Sequence, residues 1–244
     1  MLRINVIYCN EIEIWPDRPP VEPHDDMQRA PFLRPSRALI GTFVLIGTML
    51  TFLPGAPEAR AIPMEQHAEI RFSDAARDVL EALERAEGPS GFIDDSYRVL
   101  ADALAANVAS FVGVDERALR SVWARTSRTR LTVLMRGMVE LGTPYRDNTS
   151  IPGEGFDCSG FVQYAWSTVG VELPRGSSGQ YAKGDRVMRD EAQPGDIVWR
   201  PGHVALYLGV PGAILHTPYG GRQVELHMMN TRIQSWVRYA NLLA

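Results

Sequence analysis

Three side chains in this sequence are of types that do covalent chemistry together: the thiol of Cys158 and the imidazoles of His203 and His216. A thiolate attacks carbonyl carbon, and an imidazole within reach moves the protons that such an attack requires. Cys158 follows Gly155-Phe156-Asp157 and opens a helical pattern. At a helix start, unpaired backbone N–H groups and the helix dipole favour the anionic sulfur and lower its pKa. The same N–H groups can receive an oxyanion. Ser159-Gly160 keeps the side chains beside the sulfur small. The competing reading is a buried structural cysteine that behaves as a small apolar residue. Such a cysteine gains nothing from a helix start, so the local context favours a nucleophile.

His203 begins the apolar run His203-Val204-Ala205-Leu206-Tyr207-Leu208, which reads as a strand with His203, Ala205 and Tyr207 on one face. His216 ends the next strand, beyond Gly209-Val210-Pro211-Gly212. A hairpin centred on Val210-Pro211 sets Ala205 opposite His216, making His203 and His216 diagonal neighbours ~7 Å apart or less. In that arrangement His203 faces the thiol as the base, and His216 orients its ring. A lone strand histidine is usually an ordinary polar residue; two on one face beside a helix-opening cysteine are less easily dismissed. Zinc held by Cys158, His203 and His216 is the other chemistry these types allow. Zinc sites usually contain a short-range pair such as C-x-x-C, and none is present, so no metal or cofactor is expected. His24, His67 and His227 show no partner pattern and read as structural or incidental.

The surrounding residues fall into six blocks: Gly142-Thr143-Pro144-Tyr145; Gly155-Phe156-Asp157-Cys158-Ser159-Gly160-Phe161-Val162; Leu173-Pro174-Arg175 with Ser177 and Gln180; Pro194-Gly195-Asp196-Ile197-Val198; Gly202-His203-Val204-Ala205-Leu206-Tyr207-Leu208-Gly209; and Leu215-His216. In this order, over about residues 131–240, they resemble the NlpC-type, papain-like cell-wall endopeptidases. The resemblance implies a D,L-endopeptidase cutting peptidoglycan stem peptides between γ-D-glutamate and the diamino acid. It puts Cys158 in the place of the nucleophile, His203 in that of the base and His216 in that of the third polar residue. It further implies that the Tyr145 hydroxyl sits near the sulfur and assists the oxyanion site. Asp157 and Ser159 match positions that help hold the substrate's amino end. Many members place Trp or Gly-Gly after the tyrosine, whereas Arg146-Asp147-Asn148 follows here, which bears on substrate preference.

The elements that must position these residues read as an α+β arrangement. A Cys-bearing helix, Cys158 to about Val169, packs on an antiparallel meander of strands at about 196–200, 203–209, 212–217 and 223–227, and residues 143–157 read as loop. Upstream, Ser73 and Asp74 are candidate starts for a helix carrying Ala76, Val79, Leu80 and Leu83, and Gly88-Pro89-Ser90-Gly91 breaks it. Further helices are expected from about Asp95 to Phe111, after the cap Asp115, and through Leu131, Leu134, Met135 and Met138 to Gly142. The expected organisation is a leader at 1–61, a helical region at 62–130 and a papain-like, NlpC-type domain at 131–244. With no flexible linker between them, the helical region is expected to dock on the domain and position the Thr143-Pro144-Tyr145 wall.

Residues 38–53 form an uncharged apolar run preceded by Arg29, Arg34 and Arg37 and followed by Ala59-Arg60-Ala61. This order of positive region, apolar region and small-x-small site is that of a secretory signal cleaved before Ile62, with Met27 as the conventional start. An uncleaved membrane anchor is the alternative, although the run is short of the ~20 residues that span a bilayer. Cys9 lies in this leader, which leaves Cys158 without a disulfide partner in the mature chain. A net charge of -4 gives no support for nucleic-acid binding. The expectation is a secreted enzyme of the cell wall or envelope acting on peptidoglycan stem peptides. The rivals are an N-acetylmuramoyl-L-alanine amidase of related fold, a non-catalytic wall-binding protein and, more remotely, an acyltransferase.

Overall fold

A computed structural model describes residues 64–86 and 95–243. The expected leader, Cys9 and the Gly88-Pro89-Ser90-Gly91 breaker therefore lie outside the described residues. The first helix, α1 (Met64–Ala86), starts well before Ser73. Ser73 is not a cap: its hydroxyl, buried mid-helix, donates to the Val139 carbonyl at 2.8 Å. Met64–Arg71 contains no Gly or Pro, so nothing in it opposes extension of the helix toward the amino terminus.

The next three helices form as expected. α2 (Ser96–Val112) closes at Gly113, whose left-handed backbone (φ 75°) lets its N–H turn back to the Ala109 carbonyl. α3 (Glu116–Arg125) starts at Asp115, which accepts the Ala118 N–H at 2.7 Å. α4 (Arg128–Val139) starts at Ser127, which accepts the Arg130 N–H. Leu119, Trp123, Leu131, Leu134, Met135 and Met138 are buried on their inner faces.

Residues 143–157 are more ordered than their composition implies. A short antiparallel pair, β1 (Ser150–Ile151) and β2 (Gly155–Phe156), lies within them. Glu140, buried just past α4, accepts the Thr143 hydroxyl at 3.0 Å and the Gly153 N–H at 2.8 Å, tying the segment together. Then follow α5 (Cys158–Ser167), α6 (Ser177–Lys183), β3 (Asp185–Val187), β4 (Ile197–Arg200), β5 (His203–Tyr207), β6 (Ala213–His216), β7 (Glu225–Met228), α7 (Thr231–Gln234) and β8 (Arg238–Asn241).

Among the described residues, β3 to β8 form one antiparallel sheet in the order β3-β8-β4-β5-β6-β7. The expected meander is the run from β4 to β7. Sequence reading missed β3 and β8, which extend it past β4. Asp185-Arg186-Val187 and Arg238-Tyr239-Ala240-Asn241 carry no run of three apolar residues such as marks β4 and β6.

The sheet has two apolar faces. Val204, Leu206, Leu208 and Leu215 join the helices in the main core, which includes Phe161, Val162, Ala165 and Trp166 of α5. Val198, Ala205, Tyr207, Ile214 and Tyr239 form a second cluster on the opposite face, with Ile233 of α7 packed against it. α4 is fixed to the sheet from both ends of its contact. Arg130, almost fully buried, reaches Asp196 at 2.6 Å and the Pro194 carbonyl at 3.1 Å. Gly137 lies so close to Leu215 and Phe161 that an added Cβ would meet them at 2.9 and 3.1 Å.

The described residues fall in one compact unit, Pro57–Ala244, and α1 to α3 pack into it through α4 and the sheet. Trp123 of α3 donates its indole N–H to the Leu208 carbonyl at 2.8 Å. That contact lies five residues along the strand from His203, or ~17 Å at strand rise. No helix among the described residues is long and apolar enough to cross a membrane.

Replacing Trp123 with Ala removes a buried ring and orphans the Leu208 carbonyl. Denaturant unfolding should show a loss of about 3–5 kcal/mol, and a change under 1 kcal/mol would mean that the helices only rest on the sheet.

Candidate active site

Cys158 opens α5 beside its cap, Asp157, whose Oδ1 accepts the Gly160 N–H at 2.7 Å. Gly160 is needed for a reason the sequence did not give. A Cβ there would lie 2.1 Å from the Thr149 carbonyl oxygen, which accepts the Asp157 N–H at 3.0 Å. The β1 segment thus presses directly on the first turn of α5. The sulfur is half-buried, and the backbone N–H groups of Val204 and Ser159 point at it. Val204 is the residue after His203, so the thiol lies at the His203 end of β5.

The expectation of a lowered thiol pKa is reversed. Burial pushes the Cys158 thiol above its ordinary value of 9.0, and the Asp157 carboxylate adds to the rise; the Val204 and Ser159 N–H groups and the Arg200 charge only oppose it. The helix start does favour the anion, but desolvation is the larger effect.

His203 and His216 meet as the register implies. β5 pairs with β6 through Leu206–Leu215 and Tyr207–Ile214, the alignment expected from the Val210-Pro211 turn. His203 Nε2 lies 2.9 Å from His216 Nδ1, and both side chains are buried. Burial drives both imidazoles well below the usual 6.5; His216, Arg200 and His227 depress His203 further, and His227, Arg222 and Arg200 depress His216. Both rings are therefore neutral near pH 7, and so is the thiol.

Sequence reading missed three charged or titratable neighbours. Arg200 pairs with His203 across β4 and β5 and acts electrostatically on the thiol. Glu225 sits directly across the sheet from His216, with its Oε1 3.5 Å from His216 Nε2. His227, read as incidental, places Nδ1 3.8 Å from the same oxygen. The available signal was alternation: Glu225-Leu226-His227 puts two ligand-type residues on one strand face.

The remaining expected residues surround the thiol. Asp157 carries a two-pronged ion pair with Arg175 at 2.5 and 2.9 Å, and Arg175 also donates to Ser159 Oγ at 2.9 Å. Burial alone raises the Asp157 carboxyl, but Arg175 and the Gly160 N–H outweigh it and hold the pKa below 3.8. Gln180, fully buried, donates to the Ser159 and Pro174 carbonyls and so fastens α6 to the α5 start. Tyr145 lies within electrostatic reach of the sulfur, and burial, with Asp147, raises its phenol pKa. Its hydroxyl donates to Asp147 at 2.9 Å, a carboxylate from the Arg146-Asp147-Asn148 departure.

Residues 142–240 match the model of the NlpC/P60 family. The chain is similar to a peptidoglycan endopeptidase, RipA, of Mycolicibacterium smegmatis, with 33% identity over 41% of this chain and 23% of that protein. It is also similar to a γ-D-glutamyl-L-lysine dipeptidyl-peptidase of Bacillus cereus, with 36% identity over 39% of this chain and 30% of the other. The chain thus spans less than a third of the length of these two curated relatives. Among solved structures, RipD of Mycobacterium tuberculosis, described as a non-catalytic NlpC/p60 domain protein adapted to peptidoglycan binding, aligns at 28% identity. That alignment has a TM-score of 0.39 and covers 48% of this chain and 100% of RipD. The α+β segment carrying Cys158, His203 and His216 thus lies within the stretch that matches the NlpC/P60 family model.

Proposed function

We propose that this chain is a secreted cysteine peptidase that hydrolyses peptidoglycan stem peptides at the γ-D-glutamyl–diamino acid bond. The observation that carries the reading is the buried His203–His216 contact at the end of β5 where backbone N–H groups point at the Cys158 sulfur. The names of the peptidoglycan endopeptidase and γ-D-glutamyl peptidase relatives support the substrate class. Secretion through the 1–61 leader, and the division into a 62–130 helical region and a 131–244 peptidase domain, are part of the same proposal.

His203 Nε2 meets His216, so the proposed proton transfer from the thiol is assigned to Nδ1. Thiol and imidazole are each shifted toward neutrality, so His203 acts as a general base on the thiol instead of resting in a preformed ion pair. Moving the proton from sulfur to Nδ1 creates both charges together, and their attraction offsets part of the desolvation. The thiolate then attacks the scissile carbonyl. The Cys158 N–H supports the oxyanion, and His203 delivers its proton to the leaving amine. Water, deprotonated by His203, releases the acyl-enzyme. No metal enters these steps. Arg175 occupies both Asp157 oxygens and Ser159 Oγ, so it has to give way before these groups can hold a substrate ammonium group. The Tyr145 hydroxyl has to leave Asp147 before it can donate to the oxyanion.

The amidase rival cuts between the lactyl group and L-alanine and releases peptide-free disaccharide. The non-catalytic rival predicts no products, although Cys158, His203 and His216 are all present and two of them are in contact. Mass analysis of muropeptides after incubation with the protein should show stem peptides shortened at γ-D-glutamate. Cys158→Ala should abolish this cleavage without altering the unfolding midpoint, and near-wild-type turnover in that variant would remove the nucleophile assignment.

His203→Ala should lower kcat/KM by roughly 100- to 10,000-fold, the usual range for a general base. His216→Ala should cost less, because it acts through His203. Equal losses would mean that the two rings share the proton transfer instead of dividing base from orienting group.

The shifts also fix the pH dependence of the free enzyme. A thiol with its pKa above 9.0 stays protonated at neutral pH, and a His203 with its pKa below 6.5 stays neutral there. Alkylation of Cys158 by iodoacetamide should therefore be slow at pH 6–7 and accelerate only above about pH 9. Fast alkylation at pH 6 would instead reveal a thiolate–imidazolium pair.

A further inference from the structure

We infer that His216, Glu225 and His227 form a binding site for a zinc-class divalent cation, and that the cation switches off His203 as a base. Its inhibitory consequence rests on the proposed peptidase reading; the binding itself does not. The β6–β7 register sets His216 opposite Glu225 and Ile214 opposite His227, so Glu225 and His227 share one face two residues apart. Glu225 Oε1 lies 3.5 Å from His216 Nε2 and 3.8 Å from His227 Nδ1, and all three ligand atoms lie within 4.8 Å of one another. Zinc bonds of ~2.0–2.1 Å in a tetrahedron separate ligand atoms by ~3.3–3.4 Å. Small rotations about the side-chain torsions close the difference.

A second observation points to a ligand. His216 Nε2 is buried and makes no hydrogen bond, and its carboxylate neighbour stands at the outer limit of hydrogen-bond distance. Two imidazoles and one carboxylate are a zinc-type donor set with a fourth position left for water. His227, with its side chain 28% exposed, gives that position access to solvent. Arg222 holds the carboxylate, with Nη2 at 2.6 Å from Oε1 and 2.8 Å from Oε2, and Nε at 3.1 Å from Oε2. It orients Glu225 as an outer partner does, while its charge makes this site weaker than one without a cation nearby.

The link to catalysis is the tautomer of the two buried histidines. With the metal absent, the Glu225 carboxylate stands 3.5 Å from His216 Nε2 without hydrogen-bonding it, and its charge favours the tautomer with the proton on that nitrogen. His216 Nδ1 is then an acceptor, His203 Nε2 donates to it, and His203 Nδ1 keeps the lone pair that takes the thiol proton. A metal on His216 Nε2 needs that lone pair instead. The Nε2 proton leaves to solvent, the shared proton slides from His203 Nε2 to His216 Nδ1, and His203 gains a solvent proton on Nδ1. No net proton is taken up, and His203 no longer has a lone pair facing the thiol.

The test separates binding from activity. Full-length Cys158→Ala protein, which lacks the competing thiol, is dialysed against zinc and analysed for metal, and cobalt is used as a spectroscopic substitute. About one ion per chain is expected, with the visible absorption of a four- or five-coordinate nitrogen–oxygen site for cobalt. Adding His227→Gln or Glu225→Gln should weaken binding at least tenfold. No binding, or binding unchanged by both substitutions, overturns the site whether or not the enzyme cuts peptidoglycan. In the Cys158 enzyme, zinc inhibition should be at least tenfold weaker for His227→Gln, each protein compared with its own zinc-free rate. Equal inhibition would place the effect on the thiol and overturn the switch. Zinc binding in a protein that yields no cleaved muropeptides would sink the peptidase reading and leave the site standing.

Discussion

The contact of 2.9 Å between His203 Nε2 and His216 Nδ1 has room for a single proton. Both rings are buried and driven toward the neutral form, so one must donate and the other accept. Whatever faces the far nitrogen of His216 therefore decides which nitrogen of His203 is basic. A carboxylate stands there, and it is itself held by Arg222. In the proposed mechanism, the chemistry at Cys158 thus depends on a proton position set two strands away. Pairing of β5 with β6 and of β6 with β7 must be in register for that chain of groups to exist at all. A slip of one residue would turn either histidine to the other face of the sheet.

The rest of the fold holds this register and the thiol beside it. Arg130 of α4 reaches the buried Asp196 immediately before β4, which makes the Pro194-Gly195-Asp196 block a structural clamp. Trp166 of α5 donates to the Gly195 carbonyl at 3.2 Å, so the same short segment also receives the helix that carries Cys158. At the other end of α5, Gly160 admits the Thr149 carbonyl and Gln180 grips the Ser159 carbonyl. Buried polar groups used in this way fix geometry because each costs free energy if its partner moves.

What could be read from the sequence followed from strong local constraints. The β5–β6 register was legible because Gly209 and Gly212, both at positive φ, bound a turn between two apolar runs. The α5 start was legible from the Gly155-Phe156-Asp157 lead-in, a small-residue pair and an apolar stripe. β3 and β8 were not, since neither carries an apolar run of its own and each is defined by the partners it finds. The beginning of α1 was misplaced because Ser73 has the chemistry of a cap, yet spends its hydroxyl on a tertiary contact with Val139. The role of Glu225 was hidden because its importance comes from standing opposite His216, and single-strand alternation does not reveal which strand lies alongside. The thiol pKa was misjudged in sign for a related reason: the helix start is visible in sequence, whereas the depth of burial is a property of the whole packing.

That depth gives the free thiol a consistent physical logic. In the proposed extracellular setting, a lone cysteine is exposed to oxidants that attack the thiolate far faster than the thiol. Desolvation keeps Cys158 protonated, which suppresses that reaction in the resting protein. In the proposed mechanism the same desolvation makes Cys158 dependent on a base whose lone pair points the right way, and burial lowers the basicity of His203 as well. Ionisation is then favoured only when sulfur and imidazole change charge together. Protection of the thiol and its proposed dependence on the histidine tautomer are two results of one burial, and loosening the packing to acidify the thiol would sacrifice the first to relax the second.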